Sequence, residues 1–230
     1  MKSIGLYGDS FTGNIECESI KYHWSTKLAE HYNCNVTNYG ESGTSIYFSY
    51  KKFLETYNKH DCHIFLVTHR GRYIKRVLLK DGSTPHVSNL AMVKYLNEKI
   101  LEPKYNDLMG WYVCSDDEYE KDIQRLMLHE IQEMAPDTIF VPAFTRELSE
   151  KLVYDLCLMD LQMVQAVHYG KSVESIRNYS EDDKLMSGHF CPEMNNLLFD
   201  IIRTRIEKKV WDWSIPEIKF NYTFDELWKK

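Results

Sequence analysis

The 230-residue chain lacks any surplus of positive charge. Its 28 Lys and Arg are outnumbered by 34 Asp and Glu, for a formal charge of −6, so it has no basic footprint for nucleic acid. Basic pairs such as Lys51-Lys52 and Lys229-Lys230 are too short to hold the chain to an anionic membrane. No apolar run approaches the roughly 18 to 20 residues of a membrane span. The apolar start at Ser3–Leu6 is too short for a signal peptide. These absences predict a cytoplasmic protein with neither nucleic acid nor membrane as partner. The six cysteines, at 17, 34, 62, 114, 157 and 191, include no CxxC pair. Zinc and thioredoxin-like readings therefore lack their motif, and the scatter suits reduced thiols. GxxxxGK[ST] and GxGxxG are missing as well, which removes the phosphate-binding fingerprints. There is no internal repeat, low-complexity tract or flexible linker.

What is present reads as one domain over 1–230. Hydrophobic residues make up 43% and charged residues 27%, an ordinary globular balance. Ser3–Gly8 reads as a first strand, with Ile20, Trp24, Leu28 and His31 at helical spacing after it. Val36–Tyr39 is a second strand, ended by Gly40. Ile46, Tyr47, Tyr50, Phe53, Leu54 and Tyr57 mark a second helix. Cys62–Val67 is apolar throughout, as a strand covered on both faces should be. A segment at about 73–115 reads as an insertion over one sheet edge, with a turn signal at Asp81-Gly82 and a helix near Leu90–Leu101. The spacing then predicts a helix over 117–134 stopped by Pro136, a strand at Thr138–Pro142, a helix over 148–167, and a last helix from Pro192. An aromatic tail at about 210–230 carries Trp211, Trp213, Phe220, Tyr222 and Trp228 and is expected to pack back on the body.

Strands alternating with helices give an α/β fold, a parallel sheet covered on both sides. Ligands bind such sheets outside the carboxyl ends of the strands. That rule points to Ser10, to Gly40–Ser45 and to Thr68–Arg72. Gly8-Asp9-Ser10-Phe11-Thr12 follows the first strand. A nucleophilic serine needs such a sharp turn, with a small neighbour that allows close approach. A plain β-turn followed by a helix cap would use the same residues. Asn38-Tyr39-Gly40-Glu41-Ser42-Gly43-Thr44-Ser45 follows the second strand. It can aim a backbone N–H into a site, or simply cap a helix through Thr44 or Ser45. Gly188-His189-Phe190-Cys191-Pro192-Glu193 stands at the entry to the last helix, where Pro192 suits the first turn and Glu193 the helix dipole. His189 on that loop is placed to swing over the sheet edge.

In order and spacing, over about residues 4 to 205, these three segments resemble the SGNH (GDSL-type) hydrolase family. The resemblance implies a flavodoxin-like three-layer α/β/α sandwich and cofactor-free hydrolysis of acyl esters, often O-acetyl or other esters on carbohydrates or lipids. It assigns Ser10 as nucleophile and His189 as general base, with the N–H groups of Ser10 and Gly43 as oxyanion donors and no metal. Two departures stand out. The family places an Asp three residues before the histidine, where this chain has Met186. Asp183 is the preferred replacement, with Asp182 or a backbone carbonyl as alternatives. The family's third block carries an Asn, where this chain has Thr68-His69-Arg70-Gly71-Arg72. Arg72 can bind an anionic or oxyanionic group of the substrate. Arg70 reads as a solvated charge; His69 is an alternative base, though its place beside a strand better suits burial or a loop hydrogen bond. Both departures keep open a second reading, a catalytically degenerate module that binds a glycan or an acylated ligand.

Overall fold

The computed structural model describes residues 1–9, 11–12, 23–41, 44–68, 74–76, 86–88, 117–144, 146–158, 160–161, 164–165 and 190–212. Four parallel strands form the central sheet: β1 (Ser3–Tyr7), β2 (Asn35–Asn38), β3 (Cys62–Val67) and β6 (Ile139–Pro142), in the spatial order β2-β1-β3-β6. The helices are α1 (Trp24–Tyr32), α2 (Ile46–Thr56), α3 (Asp117–Met134) and α4 (Pro192–Lys208). Two short antiparallel pairs lie outside the sheet: β4 (Ile74–Arg76) with β5 (His86–Ser88), and β7 (Glu147–Ser149) with β8 (Leu152–Val153).

The period of two along the strands feeds two separate cores. Ile4, Leu6, Ile64, Leu66, Ile139 and Val141 face one side, where α1 packs on α4 and Trp24, Leu28 and Leu198 fill the space. Tyr7, Phe65, Val67 and Phe140 face the other, against Phe53 of α2 and Ile131 of α3. The molecule is thus a three-layer α/β/α sandwich. Ile64, Phe65, Leu66 and Val67 are each 0% exposed, which explains the unbroken apolar run of β3. Each such side chain contributes about 1.5–3 kcal/mol on leaving water.

Caps set the helix ends. Asn33 closes α1 in the left-handed region at φ 46°, and Lys209 closes α4 at φ 59°. The expected start of α1 moves to Trp24, because His23 caps it by accepting the Ser25 N–H at its Nδ1. Ser45 caps α2 by accepting the Phe48 N–H.

One expectation is overturned. The stretch 148–167 was predicted helical, but 147–153 is a hairpin and helical backbone begins only at Leu158. Leu148, Leu152 and Leu156 stand four apart and mimic a helix face. The observed pattern is a strand's: Glu147 is exposed and Leu148 buried. Tyr154 N–H closes the hairpin onto Arg146 O at 2.9 Å. The helix after it starts with Asp160 accepting the Cys157 N–H at 2.7 Å, half of a capping box.

The expected helix at Leu90–Leu101 and the tail beyond residue 212 lie outside the described residues. Trp211, at the head of the tail, packs on Tyr154 with ring centroids 5.5 Å apart. Among the described residues, no helix is long and apolar enough to cross a membrane.

Candidate active site

β1 lies between β2 and β3. The chain leaves β1 for β2 on one side and returns for β3 on the other, and a parallel sheet opens a crevice at that reversal, beyond the carboxyl ends of its strands. Gly8 and Asp9 follow β1 at this edge, Tyr39–Glu41 follow β2, Thr68 follows β3, and Ala143 and Phe144 follow β6.

A tight turn stands where β1 ends. Thr12 donates to Asp9 O through its N–H at 3.0 Å and its hydroxyl at 2.7 Å, and the Phe11 N–H donates to Asp9 Oδ1 at 3.1 Å. Asp9, fully buried, therefore braces the turn from within. Gly8 is required by close approach, since a Cβ there would stand 2.8 Å from Leu66 Cβ and 2.9 Å from Thr12 Cγ2. Its carbonyl accepts three hydrogen bonds from the segment after β2: Glu41 N–H at 3.2 Å, Thr44 Oγ1 at 3.2 Å and, from α2, Ser49 Oγ at 3.3 Å. Asn38 completes the tie. Its Nδ2 donates to Thr12 O, and its Oδ1 accepts the Gly40 N–H at 2.8 Å. A Cβ on Gly40 would overlap the Thr12 hydroxyl, so the two loops interlock only with glycine there.

The entry to α4 reaches the same place from across the sheet edge. The Phe190 ring lies 5.4 Å from the Phe11 ring, centroid to centroid, and Phe144 lies 5.7 Å from Phe11 on another side. Phe11 and Phe190 are both buried. Cys191 N–H donates to the buried Gln165 Oε1 at 2.7 Å. Asn195, in the first turn of α4, donates from Nδ2 to Phe190 O at 2.8 Å and to Cys191 O at 3.2 Å, and accepts the Trp24 N–H at Oδ1 at 3.1 Å. The Trp24 indole N–H donates to Phe11 O at 3.0 Å. Burial pushes the Cys191 thiol up to about 12, which disfavours its thiolate form.

The chain is similar to solved structures of lipolytic hydrolases. The lipase/acylhydrolase from Enterococcus faecalis matches 91% of this chain and 97% of its own, at 15% identity and a TM-score of 0.41. A member of the lipolytic protein G-D-S-L family from Veillonella parvula DSM 2008 matches 91% of this chain and 100% of its own, at 13% identity and a TM-score of 0.40. No family model and no curated protein matches the sequence.

Ser10, Gly43, Arg72, Asp183 and His189, the residues nominated from sequence, lie outside the described residues, as do His69, Arg70, Asp182 and Met186. Their neighbours are described: Asp9 and Phe11 flank Ser10, Thr44 follows Gly43, and Phe190 follows His189. Trp24, Asn195 and Gln165 were not nominated. Asn195 carried a signal, being a polar side chain on a helix face otherwise formed by Met194, Leu197, Leu198, Ile201 and Ile202. Among the described residues, no three His, Cys, Asp or Glu side chains converge as a metal site would.

Proposed function

We propose that this protein is a serine esterase that hydrolyses acyl esters, O-acetyl esters of small molecules or carbohydrates among them. The observation that carries the reading is the contact between Phe11 and Phe190. Each is the immediate successor of a proposed catalytic residue, and consecutive Cα atoms are only about 3.8 Å apart. The contact brings the turn at the carboxyl end of β1 against the first residues before α4, which supports a site at the sheet edge where such folds bind ligands.

In this reading Ser10 Oγ attacks the ester carbonyl carbon while His189 accepts the hydroxyl proton. The N–H groups of Ser10 and Gly43 bear the oxyanion. The carbonyl re-forms as the C–O bond to the alcohol breaks, and His189 returns the proton to the leaving oxygen. Water, deprotonated by His189, then attacks the acyl-serine and frees the acid and Ser10. Asp183 orients the imidazole, with Asp182 or a backbone carbonyl as alternatives in that role. Arg72 faces the substrate's polar or anionic part.

The test is hydrolysis of p-nitrophenyl acetate by wild type, Ser10→Ala and His189→Ala. Turnover should fall at least about 10³-fold in each variant with the melting temperature preserved. Equal turnover in Ser10→Ala refutes the assignment. Met186 at the family's acid position favours one other reading, a glycan- or acyl-ligand-binding module. An inert wild type whose Ser10 takes up no covalent acyl or phosphonyl group supports that reading.

A further inference from the structure

We propose that Trp24 and Asn195 are positioning residues, a hydrogen-bonded bridge that sets the separation between the serine turn and the histidine loop. The inference rests on the assignment of Ser10 and His189 above. The bridge has an unusual symmetry about those two positions. The indole N–H of Trp24 holds the carbonyl of Phe11 at 3.0 Å, one residue after Ser10. The side-chain amide of Asn195 holds the carbonyl of Phe190 at 2.8 Å, one residue after His189. The Trp24 backbone N–H donates to Asn195 Oδ1 at 3.1 Å and joins the two clamps directly.

Both side chains are withdrawn from solvent. Trp24 is 0% exposed and Asn195 4% exposed, while Phe11 and Phe190 close the space between them at 3% and 5%. Asn195 has one acceptor oxygen and two amide protons. The oxygen takes the Trp24 N–H, and the amide nitrogen serves Phe190 O and Cys191 O. The direction of the donors fixes the orientation of its amide. A buried polar network satisfied in this way has one low-energy arrangement, so it holds Phe11 and Phe190 in one geometry. The backbone N–H of Trp24 also opens α1, and Asn195 lies in the first turn of α4. The gauge is therefore anchored in two helices packed on the same face of the sheet.

Such a bridge acts on the rate of the chemical step. Misplacement of reacting groups by about 1 Å can cost about 10² in rate, whereas binding of a small ester is left nearly intact. The decisive measurement is the labelling of Ser10 by a fluorophosphonate, which needs no knowledge of the natural substrate. The serine Oγ–P bond forms as the P–F bond breaks, fluoride departs, and His189 takes the hydroxyl proton. Rates are followed by intact mass on the full chain for wild type, Ser10→Ala, Trp24→Phe, Asn195→Leu and the double variant.

Trp24→Phe keeps an aromatic ring in place while removing the N–H clamp and part of the indole volume, so it serves even if Asn195→Leu does not fold. The expected result is a 10- to 100-fold fall in the limiting labelling rate for each bridge variant, at a half-saturating probe concentration within twofold of wild type. The double variant should be no slower than the slower single one, because parts of one bridge fail together. The pH midpoint of labelling should stay at its wild-type value, since the imidazole itself is unchanged. Labelling of Trp24→Phe at the wild-type rate, beside an unlabelled Ser10→Ala, overturns the bridge and leaves the esterase reading standing. Absence of labelling at Ser10 in the wild type overturns both.

Discussion

Replacing His63 by phenylalanine should remove a specific part of this protein's sensitivity to acid. His63 is on β3, 7% exposed, with its ring 5.4 Å from Phe53 and 6.1 Å from Tyr7, centroid to centroid. Among the described residues its Nδ1 has no hydrogen-bond partner, and the His60 ring lies 6.3 Å away. Burial first, and repulsion from His60 second, lower its pKa from 6.5 to about 4. A lowered histidine pKa means that the unfolded chain takes up a proton before the folded one does. The neutral ring thus contributes its full share of stability above about pH 6.5, and that share is lost as the pH falls toward 4. At pH 5 the loss is about 2 kcal/mol, approaching about 3 kcal/mol below pH 4.

Urea unfolding at pH 8 and pH 5, on wild type and His63→Phe, isolates this share, because every other titrating group is common to both chains. The variant should lose about 2 kcal/mol less than wild type between the two pH values. It should also keep its packing against Phe53, since the two rings are similar in size. Equal losses in the two proteins would show that His63 is already protonated when folded, and the argument from burial would be wrong.

Gly40→Ala should destabilise the fold by about 1–3 kcal/mol, measured as a shift of the urea midpoint at unchanged slope, because the new methyl overlaps the Thr12 side chain. Asp160→Asn should cost about 1 kcal/mol at pH 7, because it weakens the paired hydrogen bonds from Arg146, 2.9 and 3.1 Å long, and replaces the carboxylate that accepts the Cys157 N–H. Burial alone would raise the Asp160 pKa, but Arg146 and the Cys157 N–H outweigh it and hold the pKa below the ordinary value. The stability difference between Asp160→Asn and wild type should therefore shrink as the pH falls through that lowered pKa.

The layers of the sheet were legible in the sequence because period and burial coincide there. Ile64–Val67 is apolar on both faces, and the structure covers both. The hairpin at 147–153 was not legible, since leucines four apart serve a helix face and a strand with a turn equally well until a partner strand is known. At the site, the turn after β1 was announced by Gly8 and Asp9. The bridge through Trp24 and Asn195 was not, because it spans 171 positions of sequence. A hydrogen bond between residues so far apart leaves no local pattern. Trp24 therefore passed for an ordinary core aromatic on an amphipathic helix.

The carbonyl of Gly8 has a consequence for the motions of the molecule. Three donors from the segment 41–49 converge on that one oxygen, and Gly8 directly continues β1, an interior strand. The amide proton of Glu41 belongs to an exposed residue, yet it is held by the carbonyl that ends an interior strand. In the language of hydrogen exchange, that proton should exchange more slowly than the amide of an exposed residue bonded to water alone.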